Sequence, residues 1–132
     1  MAAGVITKGG TVKYMLLIWE ASDPDAEVDP VVRQKEFEAY GAFTQEITER
    51  GLMKGGDPLA VPSTATTVSW EGDKLVTTDG PFAETKEWLA GYYLIEAKDL
   101  DEASEVAAKI PAAHHGAIEI RPVPELPPEY QS

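Results

Sequence analysis

The densest set of polar side chains in this sequence surrounds Asp79-Gly80-Pro81-Phe82-Ala83-Glu84-Thr85-Lys86, with Thr77 and Thr78 just before it. A turn between strands can project such groups into a pocket or toward a partner, with Lys86 as the group that faces an anion. The same residues also have a purely structural reading. Asp79 then accepts backbone hydrogen bonds, Gly80 takes an unusual φ, Pro81 fixes its neighbour and Phe82 anchors the loop in the core. His114 and His115 are the two histidines. Adjacent side chains in extended chain point to opposite faces, so the pair does not suit one metal ion, and no third ligand is spaced to join them. They read as exposed loop residues, or one of them as hydrogen-bonded near a dimer seam. Arg121, between Ile120 and Pro122, is expected to pair with a carboxylate in the interior, with substrate binding as the alternative. Tyr14, Tyr92, Tyr93, Trp70 and Trp88 can wall a cavity for an aromatic or amphipathic ligand, or serve as core and interface.

Several chemistries are excluded by composition. The chain of 132 residues has no cysteine, which removes thiolate catalysis, disulfides and Cys-type metal sites and suits a reducing cytoplasm. Gly55-Gly56 lacks the Gly-Lys-Ser/Thr ending of a phosphate loop, and no Gly-x-Ser-x-Gly nucleophile elbow occurs. With 23 Asp plus Glu against 11 Lys plus Arg, the net charge of −12 opposes direct binding of nucleic acid. That acidity reads as solubility through like-charge repulsion, or as a docking face for a basic partner protein. The opening residues have neither a charged start nor a long apolar run, and the chain has no asparagine for N-glycosylation. A cytoplasmic protein without membrane span, metal or cofactor is expected.

The elements that must position these residues follow from periodicity. Val12 to Trp19 is a nearly unbroken apolar run and predicts a central strand. Acidic, proline-containing chain follows to Asp29-Pro30, which supplies a helix cap and a first-turn proline. From Pro30 to Arg50, Val32, Phe37, Tyr40, Phe43 and Ile47 recur at mostly three- and four-residue intervals, predicting a helix that ends at Gly51. Leu52 to Gly56 predicts a short strand before an Asp57-Pro58 turn. Thr64 to Trp70 and Leu75 to Thr77 predict a hairpin about Glu71-Gly72-Asp73-Lys74. Leu89 to Ala97 predicts another strand, and Asp99 to Ile110 a second helix stopped by Pro111. Ala117 to Val123 predicts the last strand. Residues 1–11 read as a flexible extension, 12–123 as one domain and 124–132 as a proline-rich tail without regular structure.

That order is the α+β, ferredoxin-like split βαβ pattern with an antiparallel sheet and an inserted hairpin. Its helices cover one sheet face. Apolar and aromatic residues at both parities of 14–19 and 89–95 imply that the other face is buried too, and a second copy of the chain is the simplest cover. A homodimer with facing sheets, a dimeric α+β barrel, is therefore expected.

Several separated blocks carry a family resemblance: Lys13-Tyr14-Met15-Leu16-Leu17-Ile18, Tyr40-Gly41-Ala42-Phe43, Gly56-Asp57-Pro58-Leu59, Thr64-Ala65-Thr66-Thr67-Val68, Asp79-Gly80-Pro81-Phe82-Ala83-Glu84-Thr85-Lys86-Glu87, Gly91-Tyr92-Tyr93-Leu94-Ile95 and Glu119-Ile120-Arg121-Pro122-Val123. Together they resemble the DGPF family of YCII-related proteins over about residues 12–124. The resemblance implies the same dimeric α+β barrel. Most members begin at the Lys-Tyr-Met-Leu stretch, so residues 1–11 look like an addition or a start-site choice. It also implies an accessory or sensing role, since many members are encoded beside extracytoplasmic-function sigma factors. Fold relatives include muconolactone isomerase-like enzymes. The wider family carries a histidine in the first helix and an aspartate after the second, proposed as a catalytic dyad. Those positions correspond here to Tyr40 and Ile110, which removes the acid/base pairing.

The expectation is therefore a non-catalytic protein that binds a small molecule or associates with a regulatory partner such as an extracytoplasmic-function sigma factor. Binding residues are drawn from Tyr14, Tyr40, Asp79, Gly80, Phe82, Glu84, Lys86, His114 and Arg121. The alternative is a cofactor-independent isomerase or lyase in which Tyr40, Asp79 or a histidine transfers a proton. A third reading is a structural dimerisation module whose interior is filled.

Overall fold

The computed structural model describes residues 10–130. Six strands and two α-helices follow one another as β1 (Val12–Glu20), α1 (Pro30–Glu49), β2 (Met53–Pro58), β3 (Thr66–Glu71), β4 (Lys74–Asp79), β5 (Trp88–Ala97), α2 (Leu100–Ala107) and β6 (Ala117–Pro122). The main sheet runs β2-β5-β1-β6 with every neighbouring pair antiparallel. This is the ferredoxin-like α+β arrangement, and β3 and β4 form a separate hairpin inserted between β2 and β5.

Alternation along β1 sorts its side chains. Val12, Tyr14, Leu16 and Ile18 are buried with Tyr93, Ile95 and Ala97 of β5 under Phe43 and Ile47 of α1 and Ala103, Val106 and Ala107 of α2. On the opposite parity, Met15, Leu17 and Trp19 lie beside Leu94, Tyr92 and Leu89 and are only half-buried. This second face has no covering layer among the described residues.

Local chemistry sets the helix ends. The Asp29 carboxylate accepts the Val31 amide at 2.8 Å ahead of Pro30. Gly51, at φ +75°, closes α1. Asp99 accepts the Glu102 amide at 2.9 Å, while Glu102 accepts the Lys98 amide at 2.9 Å.

Some expected boundaries shift. Asp57 and Pro58 are the last residues of β2, not a turn. The strand tolerates the proline because it lies at the sheet edge. The second helix stops at Ala107 instead of reaching Ile110. A proline disfavours helical backbone in the residue before it, and Ile110 is extended at ψ 129° before a 3-10 helix at Pro111–His114. In the tail, where no regular structure is expected, Pro128–Tyr130 makes a short 3-10 turn. Residues 1–9 of the expected extension, and 131–132, lie outside the described residues.

Candidate functional site

The α1 residues Arg33, Glu36, Phe37, Tyr40, Gly41 and Thr44 repeat at helical spacing and share one face. That face does not seat fully on the sheet. Phe43 and Ile47 bury the C-terminal half of α1, whereas Val32 and Phe37 are exposed, so the expected apolar stripe anchors the helix over half its length. The N-terminal half overhangs a cleft of about 650 Å³, floored by Ile18, Ala90, Gly91 and Gly56 and walled by Met53, Trp88 and Tyr93, while the Asp57 and Tyr92 side chains at its border turn to the opposite sheet face. Glycines keep the floor low. A Cβ on Gly91 would lie 2.9 Å from the Asp57 carbonyl oxygen, and one on Gly56 would lie 2.9 Å from that of Tyr92.

Hydrogen bonds hold the walls in place. The Tyr93 and Thr44 hydroxyls are 2.9 Å apart, joining β5 to α1, and the Phe43 ring meets Tyr93 edge-on at 5.0 Å. Tyr92 donates to Asp57 at 3.1 Å, a bond that, with the Asp57 charge, raises its pKa. The Trp88 indole donates to the Ser22 carbonyl at 2.8 Å.

At the inner end of the cleft, Glu20 ends β1 on the buried parity and is 7% exposed. Its Oε1 lies 2.9 Å from His115 Nε2, yet the approach does not make a hydrogen bond, and Oε1 has no other partner among the described residues. The two groups are within ion-pair distance whenever His115 is protonated, but the approach is off-axis for a hydrogen bond. His115 reaches this place because Gly116 packs against β1. A Cβ on Gly116 would come within 2.1 Å of the Trp19 carbonyl oxygen. Tyr40 points to the same end, and its pKa is raised far above the ordinary 10.0. Desolvation is the largest cause, followed by the charges of Glu20 and Glu36, while a backbone hydrogen bond with Ala112 opposes them. The phenol thus stays protonated and offers a donor.

Of the residues expected from sequence, Tyr40, Trp88 and Tyr93 line the cleft, and Tyr92 borders it. Tyr14 is 4% exposed within the core, and Trp70 is exposed on the hairpin. Asp79, Glu84 and Lys86 are exposed away from the cleft, and the Asp79 carboxylate accepts no hydrogen bond among the described residues. The turn is instead tied by Gly80, at φ +105°, whose amide donates to Ala65 and whose carbonyl accepts from Thr67 Oγ1. Phe82 is 90% exposed, which corrects the expectation of a core anchor. His114 is exposed and lies outside the cleft lining. Arg121 is also exposed, 3.5 Å from Glu119 on the uncovered sheet face, because its strand parity turns it from the interior where a carboxylate was expected. Ile110 is fully buried core. Among the described residues, no group of three or more His, Asp or Glu is placed to hold a metal ion.

Sequence reasoning missed Glu20, Arg33 and Glu36. For Glu20 a signal existed: it continues the parity of Val12, Tyr14, Leu16 and Ile18, so the strand register alone turns it inward. Arg33 and Glu36 share the helical face of Tyr40, but a weakly amphipathic segment does not mark that face as a wall.

A family model described as the YCII-related domain matches residues 12–127. An uncharacterised protein of Rhizobium meliloti (strain 1021) is 42% identical over 84 residues, covering 62% of this chain and 68% of that protein.

Proposed function

This chain belongs to the YCII-related domain family, and from that premise we propose that it is a non-catalytic homodimer that binds a small molecule between α1 and the sheet. The observation that carries the reading is the 650 Å³ cleft, whose aromatic walls stand over a small number of fixed polar groups. Support for the dimer comes from the uncovered sheet face and from Val68, Trp70 and Leu75, exposed together on the hairpin. A cytoplasmic setting belongs to the same reading and is supported by the absence of cysteine. A native mass spectrum of freshly purified protein tests both parts. A species of twice 14.3 kDa carrying a reproducible extra mass is expected. A bare dimer moves the reading toward a protein partner, and a monomer overturns the barrel.

For that partner, an extracytoplasmic-function sigma factor is the candidate, drawn by the net charge of −12. No retention of the sigma factor in a low-salt pull-down counts against it. The enzymatic reading has one favourable observation, namely that Tyr40 and Glu20 line the same cleft. Asp79 and His114 lie outside it, so proton transfer would fall to Tyr40, Glu20 and His115. Turnover of muconolactone that is lost in Tyr40→Phe is the result this reading requires.

A further inference from the structure

Most polar groups of the cleft are committed to the protein itself. The Trp88 indole donates to the Ser22 carbonyl at 2.8 Å, and the Tyr93 and Thr44 hydroxyls bond to each other at 2.9 Å. Glu20 Oε1 is turned to His115. Tyr40 is the exception. Its backbone contact with Ala112 favours the ionised phenol, so the oxygen accepts in that contact and the phenol hydrogen is left over. Among the described residues no side chain or carbonyl accepts that hydrogen. Nor is the hydroxyl sealed away. Among those residues Glu20 Oε1 is the one fully buried side-chain polar atom without a hydrogen bond, so the Tyr40 hydroxyl retains surface, and Tyr40 lines the cleft.

Charge decides what this donor meets. Glu20 and Glu36 act on the phenol through their negative charges, and an anionic acceptor would enter the same unfavourable field. Arg33, the one cation in the lining, has Glu36 one turn along the same helix face and also borders the outer groove with Glu27. An ammonium ion brings no acceptor for the phenol hydrogen, and Glu20 Oε1 is turned from it to His115. Its desolvation among Ile18, Phe37, Met53, Ala90 and Trp88 is therefore poorly compensated. Those same residues favour an uncharged body.

We propose that the cleft takes a small uncharged molecule with an apolar body and a carbonyl-type oxygen, the oxygen accepting the Tyr40 hydroxyl hydrogen and the body lying against Phe37, Met53 and Trp88. The assignment rests on the small-molecule reading above and supplies the ligand class that reading leaves open.

Isothermal titration of the full chain with benzylacetone, sodium hydrocinnamate and phenethylammonium chloride, at neutral pH and constant ionic strength, compares a neutral acceptor, an anion and a cation on one phenylalkyl body. The ketone is expected to bind about fivefold or more tightly than either ion, and to lose about fivefold in Tyr40→Phe. Equal or tighter binding of either ion overturns the uncharged class while the small-molecule cleft stands. Silence from all three probes overturns both. Unchanged ketone affinity in a folded Tyr40→Phe protein overturns the Tyr40 contact. The carbonyl infrared band of the ketone bound to the native protein gives a second readout that needs no variant. A band lowered by hydrogen bonding, relative to the ketone in hexane, is expected; the hexane frequency overturns the contact even where Tyr40→Phe does not fold.

Discussion

Tyr40 and Gly116 show how single residues set the site. Tyr40 loses water on one side and faces carboxylates on the other, so its phenol holds its proton beyond the ordinary 10.0. An acid whose folded pKa is raised contributes stability that is complete below the unfolded value and declines as pH rises through the folded one. The unfolded chain releases that proton first. Denaturation midpoints of the native protein should therefore fall steeply above about pH 10, and Tyr40→Phe should flatten the decline. Equal slopes in the two proteins would remove Tyr40 as the source. Gly116 acts through space instead of charge. Any side chain there displaces the Trp19 carbonyl, so Gly116→Ala should cost about 1–3 kcal/mol by urea unfolding and move His115 from Glu20. Tyr40 was legible as a candidate because of where it falls in the first helix. Glu20 was harder to see, since a glutamate closing an apolar strand looks like its solvent-exposed end until a helix and the Gly116 turn are placed over it.

At the scale of elements, α1 is one helix with two environments. Ile47 is fully buried against the sheet, and Val32 is exposed to solvent. Ile47→Ala is expected to destabilise the protein by about 2–5 kcal/mol, and Val32→Ala to stay within about 0.5 kcal/mol, both read from urea unfolding. Similar losses would mean that the N-terminal half is also packed. The far end of α1 is tied to α2 by charge. Arg50 lies 2.9 Å from Glu105 and 3.3 Å from Glu46, and Lys109 lies 2.7 Å from Glu46 and 3.1 Å from Glu105. Hydrogen bonds from Arg50 and then Lys109 hold Glu105 down to about 2. A depressed carboxylate stabilises the fold above its ordinary value of 4.5 and loses that contribution as pH falls toward about 2. Glu105→Gln should therefore lower stability at neutral pH and weaken the acid dependence over that window by the same amount, a small one because the cluster is exposed and screened. Periodicity gave the existence and order of these helices. It overextended α2, where the backbone restriction before Pro111 outweighs the apolar spacing that includes Ile110.

The whole molecule must reconcile a charge of −12 with an uncovered apolar sheet face. If that face meets its copy in a dimer, Leu17, near its centre, lies in a desolvated contact. Leu17→Lys places an ammonium ion there in each subunit, where desolvation is unfavourable without a partner. The variant should appear as a folded monomer by sedimentation, with a far-ultraviolet spectrum like that of the native protein. A variant that remains dimeric would move the interface to another surface, for which the exposed hairpin residues Val68, Trp70 and Leu75 are the next place to look.

The sequence by itself determined the element types, their order and the helix caps at Asp29 and Asp99, because each depends on neighbours a few residues apart. Those regularities were enough for the α+β class and the inserted hairpin. Only the tertiary structure decided which polar residues matter. The Asp79–Lys86 cluster is dense along the chain but dispersed on the surface, whereas Glu20 and Tyr40 are far apart in sequence and line one cleft, with His115 against Glu20. Their meeting depends on strand order, on the half-seated helix and on glycines that let backbones approach, and burial and missing hydrogen bonds exist only once those are fixed.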